Sequence, residues 1–345
     1  MESAACTGAF FSVMRRDLFF SGKQGRIGYR AVGKVGLRMG YIAGIGGANM
    51  DIHARSDQML VMRDSNPGTM HTSLGGVCRN ICENLARLGE DVRLVTVVGD
   101  DVHGRSILSG CEQAGIDMGA VRVLQGERSS SYISIMDSSG DMLLAMSDMH
   151  IIKKLDERLV EDSRALLCGA ELVVCDGNLS RRTVERLTQV CSCPLYVDPV
   201  STAWAKELRP YIGRFHTVKP NRMELAALTD CPVETMAQIE AACDRLLEQG
   251  VQRVFVSMGA DGMLYKGPDG MLYERGLPFD GMVNATGAGD AAMAGIIYAT
   301  LRGFDSRRTV QYAMAAGMVA IASPDTISRD MSAASIENMM KEYLP

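Results

Sequence analysis

From Tyr41 onward, apolar positions fall into two kinds of run that alternate along the chain. Short runs rich in β-branched residues, at Tyr41–Gly47, Asp91–Val98, Glu171–Cys175, Pro194–Val197, Phe215–Val218 and Arg253–Ser257, read as buried strands. Between them, Arg79–Leu88, Gly104–Ala114, Ser180–Val190 and Thr235–Gln249 space their apolar residues as helices do. This alternation predicts an α/β fold, a central mostly parallel sheet flanked by helices. Two stretches interrupt it. His53–Leu74 and Val121–Met146 alternate polar and apolar residues and carry turn formers, so they are expected as antiparallel strands. Inserted into an α/β core, they predict a small β-sheet lid drawn from about residues 52–74 and 121–146. No internal repeat or low-complexity linker divides residues 40–345, which read as one domain.

The 345-residue composition changes this picture little, with 47% hydrophobic and 22% charged residues. A net charge of −5 argues against nonspecific nucleic-acid binding and for a small-molecule substrate. No apolar run reaches the roughly 18 residues a membrane helix needs. The ten cysteines are scattered, and neither Cys78-x-x-x-Cys82 nor Cys191-x-Cys193 has the second half of a zinc site. Reduced, buried thiols in a cytoplasmic protein are the expectation. Residues 1–40 carry seven Lys/Arg against two acidic residues, yet show no clear apolar periodicity and no secretory signal. Residues 1–39 are therefore expected to be a disordered extension or the result of a misassigned start, with the fold beginning near Gly40.

The densest chemistry lies at Asn284-Ala285-Thr286-Gly287-Ala288-Gly289-Asp290, followed by an apolar, helix-compatible run. Gly287, Ala288 and Gly289 let the backbone turn tightly at a helix N-terminus, where N–H groups and macrodipole both favour an anion. A carboxylate beside such a cradle suits a general base for a hydroxyl attacking a phosphate, and Asp290 stands there. The same segment also fits the relaxed dinucleotide fingerprint of an oxidoreductase, Gly287-x-Gly289-x-x-Ala292. That fingerprint belongs in a first βαβ unit, and this one lies near the far end of the chain.

Other segments add candidates. Asn49 and Asp51 follow the first strand, where ligands of open α/β sheets bind, and a carboxylate there suits a vicinal diol; an Asx turn is the plainer reading. Gly75 and Gly76 permit close backbone approach ahead of Arg79 and Asn80, though no P-loop pattern occurs. Asn221 and Glu224 share a face at a helix start, fit either for a hydrated Mg²⁺ bridging phosphates or for a capping box. Ser257, Gly259 and Gly262 form a glycine-rich strand exit, either a nucleotide floor or a hairpin turn.

The order of these motifs resembles the PfkB, ribokinase-like, family of sugar kinases over about residues 41–330. Within that family, Asp64-Ser65-Asn66-Pro67-Gly68, Gly75–Asn80, Ser130-Ser131-Tyr132, Asp176-x-Asn178, Asp198-Pro199 and Lys219-Pro220-Asn221-Arg222 look like the pseudouridine kinases. Ribokinases share the catalytic segment but usually carry Lys where Val77 stands. The resemblance implies transfer of the ATP γ-phosphoryl group to the 5′-hydroxyl of pseudouridine, with another sugar or nucleoside kinase, such as a ribokinase, as the alternative. It implies Asp290 as base and Gly287, Ala288 and Gly289 as the anion hole. Asn49, Asp51, Asn66, Gly75, Gly76, Arg79, Asn80, Ser131 and Asn178 would face the nucleoside. Asn221, Ser257, Gly259, Gly262 and Thr286 would face ATP, with Mg²⁺ held through water near Glu224. A K⁺ site near Thr286 would include Asn284, a neutral residue where many members carry aspartate. A homodimer through the lid, and no nucleic-acid or membrane partner, complete the expectation.

Overall fold

The computed structural model describes residues 16–20, 27–31, 40–276 and 278–343. Two compact units divide the chain, Met1–Gly40 and Tyr41–Pro345. In the first, Arg16–Phe20 pairs antiparallel with Ile27–Ala31. The expected disordered extension otherwise falls outside the described residues.

The second unit is built on a nine-stranded sheet. Its first strand in the chain, Ile42–Ile45, lies inside the sheet. Val92–Val95 and Ile116–Asp117 follow on one side, and Leu172–Asp176, Leu195–Asp198, Thr217–Val218 and Arg253–Ser257 on the other, all parallel. An antiparallel pair, Gly262–Gly267 and Gly270–Arg275, closes the far edge. Helices cover both faces, which is why the inner strands read as unbroken apolar runs. One layer holds Val77–Arg87, Val102–Gln113, Ala288–Leu301, Ser306–Ile321 and Ala333–Tyr343, sealed by residues such as Ile81, Leu85, Met293 and Ala316. The other holds shorter helices, among them Arg181–Val190, Arg222–Thr229 and Met236–Glu248, sealed by Leu187, Leu225 and Leu246. Strand order reverses between Ile42–Ile45 and Leu172–Asp176, and this switch point opens the crevice where ligands of such sheets bind. No helix among the described residues is long and apolar enough to cross a membrane.

Two strand expectations need correction. Asp91–Val98 is interrupted at Thr96, whose hydroxyl donates to the Gly46 carbonyl (2.7 Å) and whose own carbonyl accepts from the Arg122 N–H (3.0 Å). Val97–Gly99 therefore leaves the main sheet and pairs with Arg122–Leu124, so the start of the 121–146 stretch is not part of the lid. The lid is a separate four-stranded sheet in the order Met142–Asp148, Ser131–Met136, Asn49–Ser56, Gly68–Gly75. Its outer pairs are antiparallel, but its central pair, Ser131–Met136 with Asn49–Ser56, is parallel. Both of those strands leave the core at the same end of the main sheet, so they run in the same direction.

Candidate active site

Asn49, Asn178, Asn221 and Ser257 lie at or just beyond the carboxyl ends of parallel strands, and the Asn80–Asp290 hydrogen bond joins the starts of two helices. Asp176 ends the strand at the switch point and is fully buried. Its carboxylate accepts the N–H groups of Gly47 (2.9 Å), Cys78 (3.0 Å) and Asn178 (3.1 Å). One side chain thus fixes the Gly46–Asn49 turn, the start of helix Val77–Arg87 and Asn178. Burial raises its pKa, and those three donors oppose the rise. Gly76 caps the helix at φ 100°, and a side chain there would strike the Gly47 carbonyl, so the Gly-Gly pair allows two loops to touch.

Helix Ala288–Leu301 starts from Gly287, which has φ 83° and packs against the Thr326 carbonyl. The first intrahelical bond runs from the Ala291 N–H to the Gly287 carbonyl (2.9 Å), so earlier N–H groups remain open to an anion. Asp290 lies in this first turn, 8% exposed, and its Oδ2 accepts from Asn80 Nδ2 at 2.7 Å. Burial and the nearby Asp198 carboxylate raise its pKa to about 7, against the lowering effects of Asn80, Lys219 and Arg79. A carboxylate poised near neutrality is suited to general base chemistry.

Asp198 and Lys219 belong to this centre, although neither was singled out above as a candidate. They end adjacent strands and form a buried ion pair, Nζ to Oδ2, at 2.9 Å. Lys219 Nζ lies 3.5 Å from where a Cβ on Gly289 would be, which places a cation at the mouth of the glycine turn. Burial works to lower its pKa, but Asp198, Glu224 and Asp290 outweigh burial and hold the ammonium charged. The signal in the sequence was the position of Asp198 and Lys219 directly after strands, the same rule that selected Asn49 and Asp51.

Asn221 and Glu224 form a capping box: Asn221 Oδ1 accepts the Glu224 N–H (2.9 Å), and Glu224 Oε2 accepts the Asn221 N–H (2.8 Å). Glu224 is nonetheless buried beside Asp198, and burial followed by that charge raises its pKa. Ser257 pairs with Asn221 across a parallel bridge, and Gly259 and Gly262 bracket the turn into the antiparallel edge. Thr286 is exposed, its N–H held by Asn284 Oδ1 (3.0 Å), while Asn284 Nδ2 donates to the Pro324 carbonyl (3.2 Å).

At the start of the lid, Asn49 Nδ2 donates to Asp51 Oδ1 (2.5 Å), and Gly75 stands opposite Asn49 in the ladder. Burial raises the Asp51 pKa, with Asn49, His53 and Arg79 opposing it. Arg79 is almost fully buried. Its guanidinium donates to the carbonyls of Gly75 (3.0 Å) and Leu74 (2.8 Å) and also meets Glu83 and Asn80. Its charge reaches both Asp51 and Asp290. Asn66 folds its own loop, bonding Val61 N–H (2.7 Å) and the carbonyls of Val61 and Asp64 (both 3.0 Å). Ser131 Oγ lies 3.1 Å from His103 Nδ1.

The glycine turn at 287–289 does not follow a parallel strand; the preceding one, Gly270–Arg275, is the antiparallel edge. That placement removes the dinucleotide reading. Residues 39–333 match the pfkB family carbohydrate kinase pattern, and the chain belongs to this family of sugar and nucleoside kinases. It is 32% identical to the pseudouridine kinase of Escherichia coli (strain K12) over 302 residues, 87% of this chain and 96% of that protein. It is 33% identical to the uncharacterized sugar kinase YeiI of the same strain over 312 residues, 90% of this chain and 86% of that protein. Its fold is similar to that of Arabidopsis thaliana ribokinase complexed with ribose and ATP (TM-score 0.75, 20% identity, 88% of this chain and 99% of that one). The fold is ribokinase-like.

Proposed function

We propose that this protein phosphorylates pseudouridine at its 5′-hydroxyl with ATP, giving pseudouridine 5′-phosphate and ADP. The observation that carries the reaction is the buried Asp290 carboxylate, held by Asn80 at the glycine turn with Lys219 beside it. The choice of nucleoside rests on the similarity to the E. coli pseudouridine kinase and on the motifs from Asp64 to Arg222. The similarity to a sugar kinase of comparable identity supports a second reading, in which a free sugar is the acceptor.

In this mechanism Asp51 and Asn49 receive the ribose hydroxyls, with Gly76 and Asn178 lining the same crevice. Asp290 accepts the 5′-hydroxyl proton as that oxygen bonds to the γ-phosphorus, and the bond to the bridging oxygen breaks with its electron pair leaving on ADP. The N–H groups of Gly287, Ala288 and Gly289, joined by the Lys219 ammonium, hold the charge on the transferred group. No cluster of three or more His, Cys, Asp or Glu fit for a metal occurs among the described residues. Glu224 would hold Mg²⁺ through water, with the Asp198 carboxylate beside it, and the ion would supply charge neutralisation on the nucleotide phosphates. The Asn284 and Thr286 loop would face the nucleotide side. Arg79 is assigned a positioning role between Asn80 and the Gly75 turn.

The lid face opposite Asp51 supports the homodimer. Met70, Ile133, Leu144 and Met146 are 80%, 38%, 56% and 67% exposed, and register places them on one face. A reaction with ATP, Mg²⁺ and pseudouridine, read by phosphorus–proton correlation, should show phosphate on the C5′ oxygen. Phosphate at another position, or none, refutes the assignment.

A further inference from the structure

Two pairs of cysteines are joined by hydrogen bonds between their thiols, and the fold treats them differently. Cys78 and Cys82 lie one turn apart in helix Val77–Arg87, and both are fully buried. Cys191 and Cys193 flank Ser192 in the loop that enters strand Leu195–Asp198, and both are half-buried. The expectation of buried thiols therefore fails at this second pair. It lies at the amino ends of the parallel strands, opposite the end that carries the candidate active site.

Local bonds set its geometry. Cys193 Sγ donates to the Leu167 carbonyl (3.6 Å), and the exposed Cys168 donates from its own Sγ to the Val190 carbonyl (3.3 Å). These crossed bonds fasten the end of helix Arg164–Gly169 to the segment 190–193. Helix Arg181–Val190 stops there, with Cys191 extended at φ −76° and ψ 128°, and Pro194 favours extended backbone at Cys193. In extended chain, residues two apart stand roughly 6.6 Å from each other with their side chains on one side. That spacing falls within the roughly 4.4–6.8 Å between Cα atoms that a disulfide spans. The Cys191 S–H, donated to Cys193, draws the Cys193 thiol down to about 7, so about half of it is thiolate at neutral pH. The buried Cys78 thiol is instead pushed well up, first by its bond with Cys82 and then by burial.

We propose that Cys193 is a peroxide-reactive thiol that Cys191 resolves, so that the pair forms a reversible disulfide. The Cys193 sulfur attacks one oxygen of hydrogen peroxide. An S–O bond forms, the O–O bond breaks, and the departing hydroxide takes a proton to become water. Cys193 is then a sulfenic acid. The Cys191 sulfur attacks it, the S–S bond forms and the S–O bond breaks, the hydroxide leaving as water with the Cys191 proton. The two sulfurs lose two electrons in all, and the peroxide gains them. A thiol reductant reverses the change. This chemistry does not depend on the kinase reading.

The test treats the folded, full-length protein with hydrogen peroxide at neutral pH, blocks the remaining thiols with iodoacetamide and maps tryptic peptides by mass. Leu187–Lys206 carries Cys191 and Cys193 and no other cysteine, while Ala165–Arg181 carries Cys168 and Cys175. Most of Leu187–Lys206 should escape alkylation and appear two hydrogens lighter than the free dithiol, and dithiothreitol should restore it. In C191S the sulfenic acid lacks its partner, so dimedone should label Cys193; in C193S that label should be absent. Cys78 and Cys82 should stay reduced throughout. A Leu187–Lys206 peptide that keeps both thiols overturns the proposal. So does a link between it and Ala165–Arg181, which would make Cys168 the partner. Both of these outcomes are read on the unsubstituted protein, so they decide the matter even if a variant fails to fold.

Discussion

Replacing Asp290 by Asn keeps the shape of the side chain and an oxygen for Asn80 Nδ2, so it removes little beyond the ability to take a proton. Loss of a positioned general base lowers turnover by roughly 10²–10⁴-fold. The carboxylate's pKa of about 7 adds two further readouts. In the unsubstituted enzyme the ionised form works, so kcat/KM should rise with pH through about 7 and reach about a tenth of its plateau at pH 6. That limb should vanish in Asp290→Asn. Stability should change in the opposite sense. Between 3.8 and about 7 the folded state binds more protons at this site than the unfolded chain, so the free enzyme loses stability as pH rises through that window. At about 1.4 kcal/mol per tenfold change, the full burden above pH 7 is on the order of 4 kcal/mol. Asp290→Asn should therefore melt higher than the unsubstituted protein at pH 8, with the gap narrowing at pH 5. The assay is ADP release from pH 5.5 to 9 beside thermal melts at the two pH values. Near-normal turnover in Asp290→Asn, or a flat profile between pH 6 and 8 in the parent, would refute the base assignment.

Other substitutions separate the remaining roles. Asp51→Ala should raise KM for the nucleoside by an amount equivalent to roughly 1.5–3 kcal/mol while leaving KM for ATP in place; a change confined to ATP would assign the residue to the other substrate. Lys219→Met leaves Asp198 buried without its partner, so denaturant unfolding should show a loss of about 3–5 kcal/mol, largely recovered in a Lys219→Met, Asp198→Asn double variant. Where single-variant activity is measurable, its acid limb should move to higher pH, because Lys219 holds the Asp290 pKa down. Gly287→Ala must adopt φ 83° against the Thr326 carbonyl, so denaturation should report a loss of about 1–2 kcal/mol or more, together with reduced kcat.

The sheet was legible because its strands are buried on both faces and appear as runs of Val, Ile and Leu. Helix Ala288–Leu301 was visible for a related reason: from Asp290 to Ala299 it is buried all round. What the residue pattern could not show is direction and partnership. Ser131–Met136 alternates in the same way whether it pairs parallel or antiparallel, and only the shared exit point of two strands decides the matter. Thr96 looks like a strand residue, yet its hydroxyl bond to Gly46 turns the chain out of the sheet. At the site, Asp290 and the glycine turn are adjacent in sequence and could be read together. Asp198 and Lys219 are 21 positions apart and become an ion pair only when neighbouring strands end side by side. The burial of Arg79 was equally hidden, since the bonds from its guanidinium to the Gly75 and Leu74 carbonyls depend on how the glycine turn folds back on the helix.

The most direct test of the account is a comparison of kcat/KM, with saturating ATP and Mg²⁺, for pseudouridine, uridine, adenosine and ribose. Pseudouridine should exceed each of the others by at least about tenfold, the scale of the roughly 1–3 kcal/mol lost when one buried polar group of a site is left unpaired. A preference for ribose or adenosine, or turnover of none of the four, would contradict the assignment.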